Sequence, residues 1–208
     1  MILIGQYDSP FVRRVGIALR LYELPFEHST WSAFSDAEKL RRYNPLVRVP
    51  TLVLDDGTVL VESHAMLDYL DSLVPPARRL FPVAEPARHR ALRVATLATG
   101  LGDKAASFLY EKRLHEAASD FWLERCRGQV LGALQALEAE RAARPGAYWF
   151  GAAIGHADIA VAVMLRFVNE ALPGLLPMAG CPALGRHATA LEALPVFQEI
   201  SQRFTPPS

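Results

Sequence analysis

The sequence predicts a small α/β domain followed by an all-α domain, and three observations carry that expectation. Short β-rich runs are confined to the first eighty residues, where they alternate with helical patterns. Four prolines then crowd into residues 75–86, a stretch no single helix can absorb. Beyond it strand signals nearly vanish, and Ala, Leu, Arg and Glu dominate. The predicted boundaries are 1–75 for the α/β domain, 76–86 for the linker and 87–208 for the helical domain.

Each element has its own signal. Residues 2–7, ILIGQY, read as a strand, and residues 11–24, FVRRVGIALRLYEL, carry apolar positions at helical spacing. Pro25 stops that helix and residues 26–30 read as a second strand. A polar helix is expected over 36–43. The runs TLVL and TVLV are joined by Asp55-Asp56-Gly57, whose Asp-Gly pair signals a hairpin. Ser63 opens a helix through Leu73. The order is one parallel crossover followed by an antiparallel hairpin. In the second domain, residues 87–144 read as two long helices with a break near 118–120. Another helix runs from His156 to Ala171, and shorter ones follow Cys181-Pro182 and Leu194-Pro195.

Composition removes several function classes. Lys plus Arg number 22 and so do Asp plus Glu, so the chain has no basic excess with which to bind nucleic acid or an anionic membrane. With 51% hydrophobic and 21% charged residues in 208, a packed core is expected rather than disorder. Cys126 and Cys181 stand far apart and form no CxxC pair, which predicts neither a disulfide scaffold nor a zinc site, and no metal is expected. The opening residues lack a basic flank before an apolar run, so no signal peptide is expected. The longest apolar stretch, near Ile159–Leu165, is too short to span a bilayer. A cytoplasmic protein is expected.

Three places could carry chemistry. Ser9-Pro10 opens the first helix at the carboxyl end of a strand; Ser9 either only caps that helix or donates a hydroxyl to an anion held by the helix N-terminus. Val49-Pro50 precedes a strand, an ordinary place for proline. Glu62-Ser63 sits between a strand and a helix. Ser63 there is either a cap or, with Glu62, a grip on an amino-acid head group: helix N-terminus and hydroxyl for the carboxylate, Glu62 for the ammonium.

The ordered set SPFVRRV, NPLVRVPTL, ESHAMLDYL and GHADIAVA resembles a cytosolic glutathione transferase of the serine type over essentially the whole chain. The resemblance implies a thioredoxin-like N-terminal domain, an all-helical C-terminal domain that shapes the electrophile site, and glutathione as co-substrate. It makes Ser9 the donor to the glutathione sulfur and Val49 the residue whose backbone pairs with the cysteinyl part. Pro50 becomes the family's cis-proline, and Glu62 and Ser63 hold the γ-glutamyl group. Tyr7 is the alternative sulfur donor. Gly155–Asp158 match a helix-capping box in which Gly155 replaces the usual Ser or Thr. Thr99 stands where many relatives have an aspartate reaching the partner's glutathione. The implied partners are glutathione, a small electrophile and a second copy of the chain, with Leu92, Ala95, Leu97, Ala98 and Leu101 as candidate dimer contacts. The alternatives are a catalytically silent binding module, or a glutathione-dependent reductase, peroxidase or isomerase. His64, Asp103 and Lys104 receive no role.

Overall fold

Four three-residue strands, β1 (Ile2–Ile4), β2 (Glu27–Ser29), β3 (Thr51–Val53) and β4 (Val59–Val61), form one sheet in the order β2-β1-β3-β4. β1 runs parallel to β2 and antiparallel to β3, and β3 pairs antiparallel with β4, as the crossover-then-hairpin pattern predicts. The hairpin closes at Gly57, whose φ of 85° suits glycine, with the Leu54 amide donating to the Thr58 carbonyl at 2.8 Å. Successive side chains alternate faces. Ile2, Ile4 and Val53 meet Leu40 of α2 (Ala37–Arg41) together with Trp31. Leu3 and Leu52, paired in register, face the other way, toward α1 (Pro10–Leu21) and α3 (Ser63–Ser72), which pack together.

This computed structural model describes residues 1–206. α1 is buried at every residue from Val12 to Leu19, so it is covered all round rather than along one stripe. Gly5, at φ 133°, permits the close approach of β1's end to this helix: a Cβ there would fall 2.5 Å from Val12 Cγ2 and 2.9 Å from Val49 Cβ.

The chain forms two compact units, one of Met1–Leu80 plus the chain from Pro195 onward, the other of Phe81–Leu194. The compact units differ from the sequence reading, which counts the residues from Pro195 with the helical domain. The reason is Arg13, only 2% exposed on α1. Its Nε donates to the Ile200 carbonyl and its Nη2 to the Phe197 carbonyl, each at 2.7 Å, which ties α8 (Pro195–Glu199) to the first unit. Residues 207 and 208 lie outside the described residues.

The second unit is helical: α4 (Ala87–Leu114), α5 (Asp120–Ala142), α6 (His156–Ala171) and α7 (Pro182–Glu192). α4 packs on α5 and α6, and α6 is buried along nearly its whole length. Ser119 caps α5 by accepting from the Trp122 amide at 3.3 Å. At α6 the reach-back half of the capping box is made by Asp158, whose Oδ2 accepts from the Gly155 amide at 2.9 Å. Asp158 Oδ1 also accepts from the Trp149 amide at 2.7 Å and faces His187 Nε2 at 3.3 Å. Buried Arg141 completes this network. Its Nε donates to His187 Nδ1 at 3.2 Å, Nη1 to the Arg144 carbonyl at 3.1 Å, and Nη2 to the Gly146 and Ala147 carbonyls at 2.5 and 3.2 Å. No helix among the described residues is long and apolar enough to cross a membrane.

Candidate functional site

An open cleft of about 260 Å³ in the first unit is lined by Phe11, Asn44, Arg48, Val49, Pro50, Glu62 and Ser63. Its first wall is the loop between α2 and β3, organised by Asn44, which is 1% exposed. Asn44 Nδ2 donates to the Arg48 carbonyl and to Thr51 Oγ1, both at 3.0 Å, and its Oδ1 accepts from the Leu46 amide at 3.0 Å. A buried amide satisfied this fully fixes the loop and hence the path of Val49-Pro50. The Val49–Pro50 peptide bond is cis.

The second wall is the junction of β4 and α3. Glu62 adopts φ 67° and ψ 120°, a left-handed conformation that costs a non-glycine residue energy and that clusters at functional sites. This turn sets Ser63 as the first residue of α3, beside that helix's uncommitted N–H groups. Behind it lies Arg14 of α1, fully buried. Arg14 Nη1 donates to Ser63 Oγ at 3.3 Å and lies 3.4 Å from His64 Nε2. Its Nε and Nη2 have no hydrogen-bond partner. Burial pulls the Arg14 pKa down to about 9, and the group stays cationic at neutral pH. At the mouth, Arg48 Nη1 pairs with Glu62 Oε1 at 3.1 Å, both side chains more than half exposed. A helix N-terminus and an accessible carboxylate in one cleft, with a buried cation behind Ser63, suit a ligand carrying a carboxylate and an ammonium close together.

The third wall comes from the start of α1. Ser9 is its N-cap residue, extended at φ −71° and ψ 118°, and its hydroxyl makes no capping hydrogen bond. The reading in which Ser9 only caps the helix therefore lacks its bond. Phe11, two residues on, lines the cleft, while Ser9 is not among the lining residues. Tyr7 points elsewhere. Its ring stacks on His28 with centroids 3.9 Å apart and rests on Gly16, where a Cβ would fall 2.8 Å from Tyr7 Cε1. Gly16 lies about 200° around the helix from Arg14. Burial raises the Tyr7 phenol to about 12, with Arg20 opposing the shift and Glu199 adding to it.

The structure thus brings Val49, Glu62 and Ser63 to one cleft and leaves Ser9 at its edge in sequence. Sequence reasoning missed Asn44, Arg48 and Arg14. His64 is half-buried beside Arg14. Thr99 is buried, its hydroxyl donating to the Thr96 carbonyl at 3.1 Å, and Lys104 pairs with Asp103 at 3.4 Å. Among the described residues no group of three or more His, Cys, Asp or Glu side chains could hold a metal ion.

A mixed sheet with α1 and α3 packed on one face, followed by a helical unit, defines a thioredoxin-like domain joined to an all-helical one. The chain belongs to the glutathione S-transferase family: residues 3–78 match its N-terminal domain and residues 120–190 its C-terminal domain. A glutathione S-transferase from Methylobacterium radiotolerans, solved with glutathione sulfonate, is 30% identical with a TM-score of 0.89, the match covering 98% of this chain and 97% of that one. One from Methylobacillus flagellatus, solved with glutathione bound, is 25% identical at a TM-score of 0.88, covering 96% and 98%. The probable maleylacetoacetate isomerase of Caenorhabditis elegans is 28% identical over 199 residues, 94% of this chain and 90% of that protein.

Proposed function

We propose that this protein is a glutathione S-transferase that binds glutathione in the cleft and conjugates it to a small electrophile, a detoxification chemistry. The γ-glutamyl carboxylate takes the α3 N-terminus and Ser63, with Arg14 behind it, and its ammonium takes Glu62. The Val49 backbone pairs with the cysteinyl part, and Ser9 donates to the sulfur. The thiol proton leaves to solvent, the thiolate forms a C–S bond with the electrophilic carbon, and a leaving group departs or the adduct takes up a proton. A free thiol near pKa 8.5 is only a few per cent ionised at neutral pH, so lowering it by about two units supplies about 2.7 kcal/mol. The observation that carries the reading is the meeting of Glu62, Ser63 and buried Arg14 at one helix start.

Thiol-disulfide exchange is poorly supported, because both cysteines are buried in the helical unit and burial pushes both thiols up. A glutathione-dependent isomerase is the second reading, favoured by the near full-length similarity to the nematode protein. We further propose a cytoplasmic homodimer. Ala95, Ala98 and Leu101 are spent inside the helical unit, but Leu92 and Leu97 stay half-exposed, and Phe34, Tyr43 and Leu46 are exposed on the first unit. Calorimetry with glutathione, then an electrophile panel alongside maleylacetoacetate, tests the function. Ser9→Ala is expected to bind glutathione with near-parent affinity and to lose up to about 25-fold in turnover at neutral pH, as the ionised fraction falls from about three quarters to a few per cent. An absence of heat at millimolar glutathione would remove the proposal.

A further inference from the structure

The chain end returns to the loop that presents Ser9. Beyond α8, Gln202 Oε1 accepts from the Tyr7 amide at 3.2 Å, and the Thr205 amide donates to Asp8 Oδ2 at 3.1 Å. These contacts fall on the two residues that precede Ser9, whose own amide donates to the Gln6 carbonyl at 3.1 Å. The strap is anchored upstream of them. Arg13 holds the Phe197 and Ile200 carbonyls with its guanidinium 5.5 Å from the Phe197 ring, and Arg20 pairs with Glu199 at 2.9 Å. Phe197 and Ile200 are both buried.

We infer that the C-terminal strap, through Gln202 and the Thr205 backbone, is a positioning element for Ser9, setting the direction in which its hydroxyl meets the glutathione sulfur. The loop between β1 and α1 lies past the end of the sheet, where strand pairing no longer dictates backbone position. The strap supplies the acceptor for the Tyr7 amide and the donor for the Asp8 carboxylate. Fixing two consecutive residues leaves the third little freedom, and a donor displaced by a fraction of an ångström loses much of its hold on a thiolate. Arg13 does a separate job: it attaches α8 to α1, whereas Gln202 and Thr205 act on the loop. The γ-glutamyl end of the cleft, at Glu62, Ser63 and Arg14, receives nothing from the strap in these contacts. Loss of the strap is therefore expected to change the sulfur's ionisation far more than the tripeptide's affinity.

This inference rests on the reading of Ser9 as sulfur donor, and the test separates the two. Gln202→Ala, Gln202→Glu and a chain ending at Ser201 are compared with the parent and with Ser9→Ala. The truncated chain keeps Phe197 and Ile200 for Arg13 and Glu199 for Arg20. Five quantities are measured: the thiol pKa of bound glutathione from ultraviolet thiolate absorbance, its Kd by calorimetry, kcat, KM and Tm. In Gln202→Ala and the truncated chain the thiol pKa is expected to rise by about one unit and kcat at neutral pH to fall about threefold. Kd should stay within about twofold, since binding and rate report different interactions. Gln202→Glu, which keeps the acceptor, restores both. The strap inference alone falls if Ser9→Ala raises the thiol pKa while both strap variants leave it in place, or if Gln202→Glu is as impaired as Gln202→Ala. If Ser9→Ala itself leaves the thiol pKa unmoved, the Ser9 reading falls and takes the strap's role with it.

Discussion

Two buried arginines, Arg141 in the second unit and Arg14 in the first, are handled in opposite ways. In the second unit Arg141 spends its guanidinium on three carbonyls and a histidine nitrogen, pinning the turn between α5 and α6. In the first unit Arg14 is buried more completely, yet two of its three nitrogens have no hydrogen-bond partner. Burying a charge is costly unless its bonds are met. A saturated arginine such as Arg141 is thus scaffold, whereas Arg14 is the one that the proposed function gives to the glutathione carboxylate.

The contrast can be broken most forcefully at Arg141. Arg141→Met strands three carbonyls and a ring nitrogen, so a stability loss of about 3–5 kcal/mol is expected in denaturant unfolding. Glutathione affinity of the folded protein should be unchanged, because every lining residue belongs to the first unit. At Arg14 the pattern should invert. Arg14→Met removes a charge whose desolvation is poorly repaid, so stability is expected to hold within about 1 kcal/mol or to rise. Calorimetry on the same variant should show glutathione affinity falling about tenfold to a hundredfold, the worth of a hydrogen bond to a buried charge. A stable variant that still binds normally would end Arg14's part in the site.

Alkaline titration sharpens the comparison from another side. Burial raises the phenols of both Tyr7 and Tyr22 in the first unit, and for Tyr22 the hydrogen bond with Asp71 adds to the shift. Groups raised in the folded state bind protons more tightly there than in the unfolded chain. Their stabilisation is complete below the ordinary tyrosine pKa of 10.0 and is lost as pH climbs through about 12 for Tyr7. Unfolding followed above pH 10 should show that decline, with a shallower slope in Tyr7→Phe. The smallest effect belongs to the cleft mouth. Arg48→Gln breaks an ion pair exposed on both sides, so Tm should barely move and stability should change by less than about 0.5 kcal/mol.

Much of this fold is legible in the sequence, because the signals are local. Alternating runs and an Asp-Gly turn mark the hairpin, Pro25 bounds the first crossover, and Ser119 and Gly155 mark helix starts in the second unit. The site is legible only in part. Ser9, Val49, Glu62 and Ser63 stand at element junctions, where capping chemistry draws the eye. Arg14 gives no such signal: within FVRRV, two adjacent arginines read as a solvated face. That reading assumes an amphipathic helix with one wet side. α1 has no wet side over its central residues, because segments distant in sequence cover it: the sheet, α3 and the returning strap. The turn of the chain at Leu194 is hidden for the same reason, since the acceptors of Arg13 lie 184 and 187 residues away.

That return also bears on how the molecule is made. A ribosome delivers residues 1–80 before the helical unit, but the carbonyls that Arg13 requires, and the groups that hold Tyr7 and Asp8, are synthesised after it. The first unit to emerge is therefore the last to be finished, waiting through the synthesis of the whole helical unit. A product terminated between Leu80 and Pro195 carries the complete cleft lining in its sequence and still leaves Arg13 buried without these acceptors or α1 with an uncovered flank. The fold thereby ties completion of its first unit to residues made only after the helical unit.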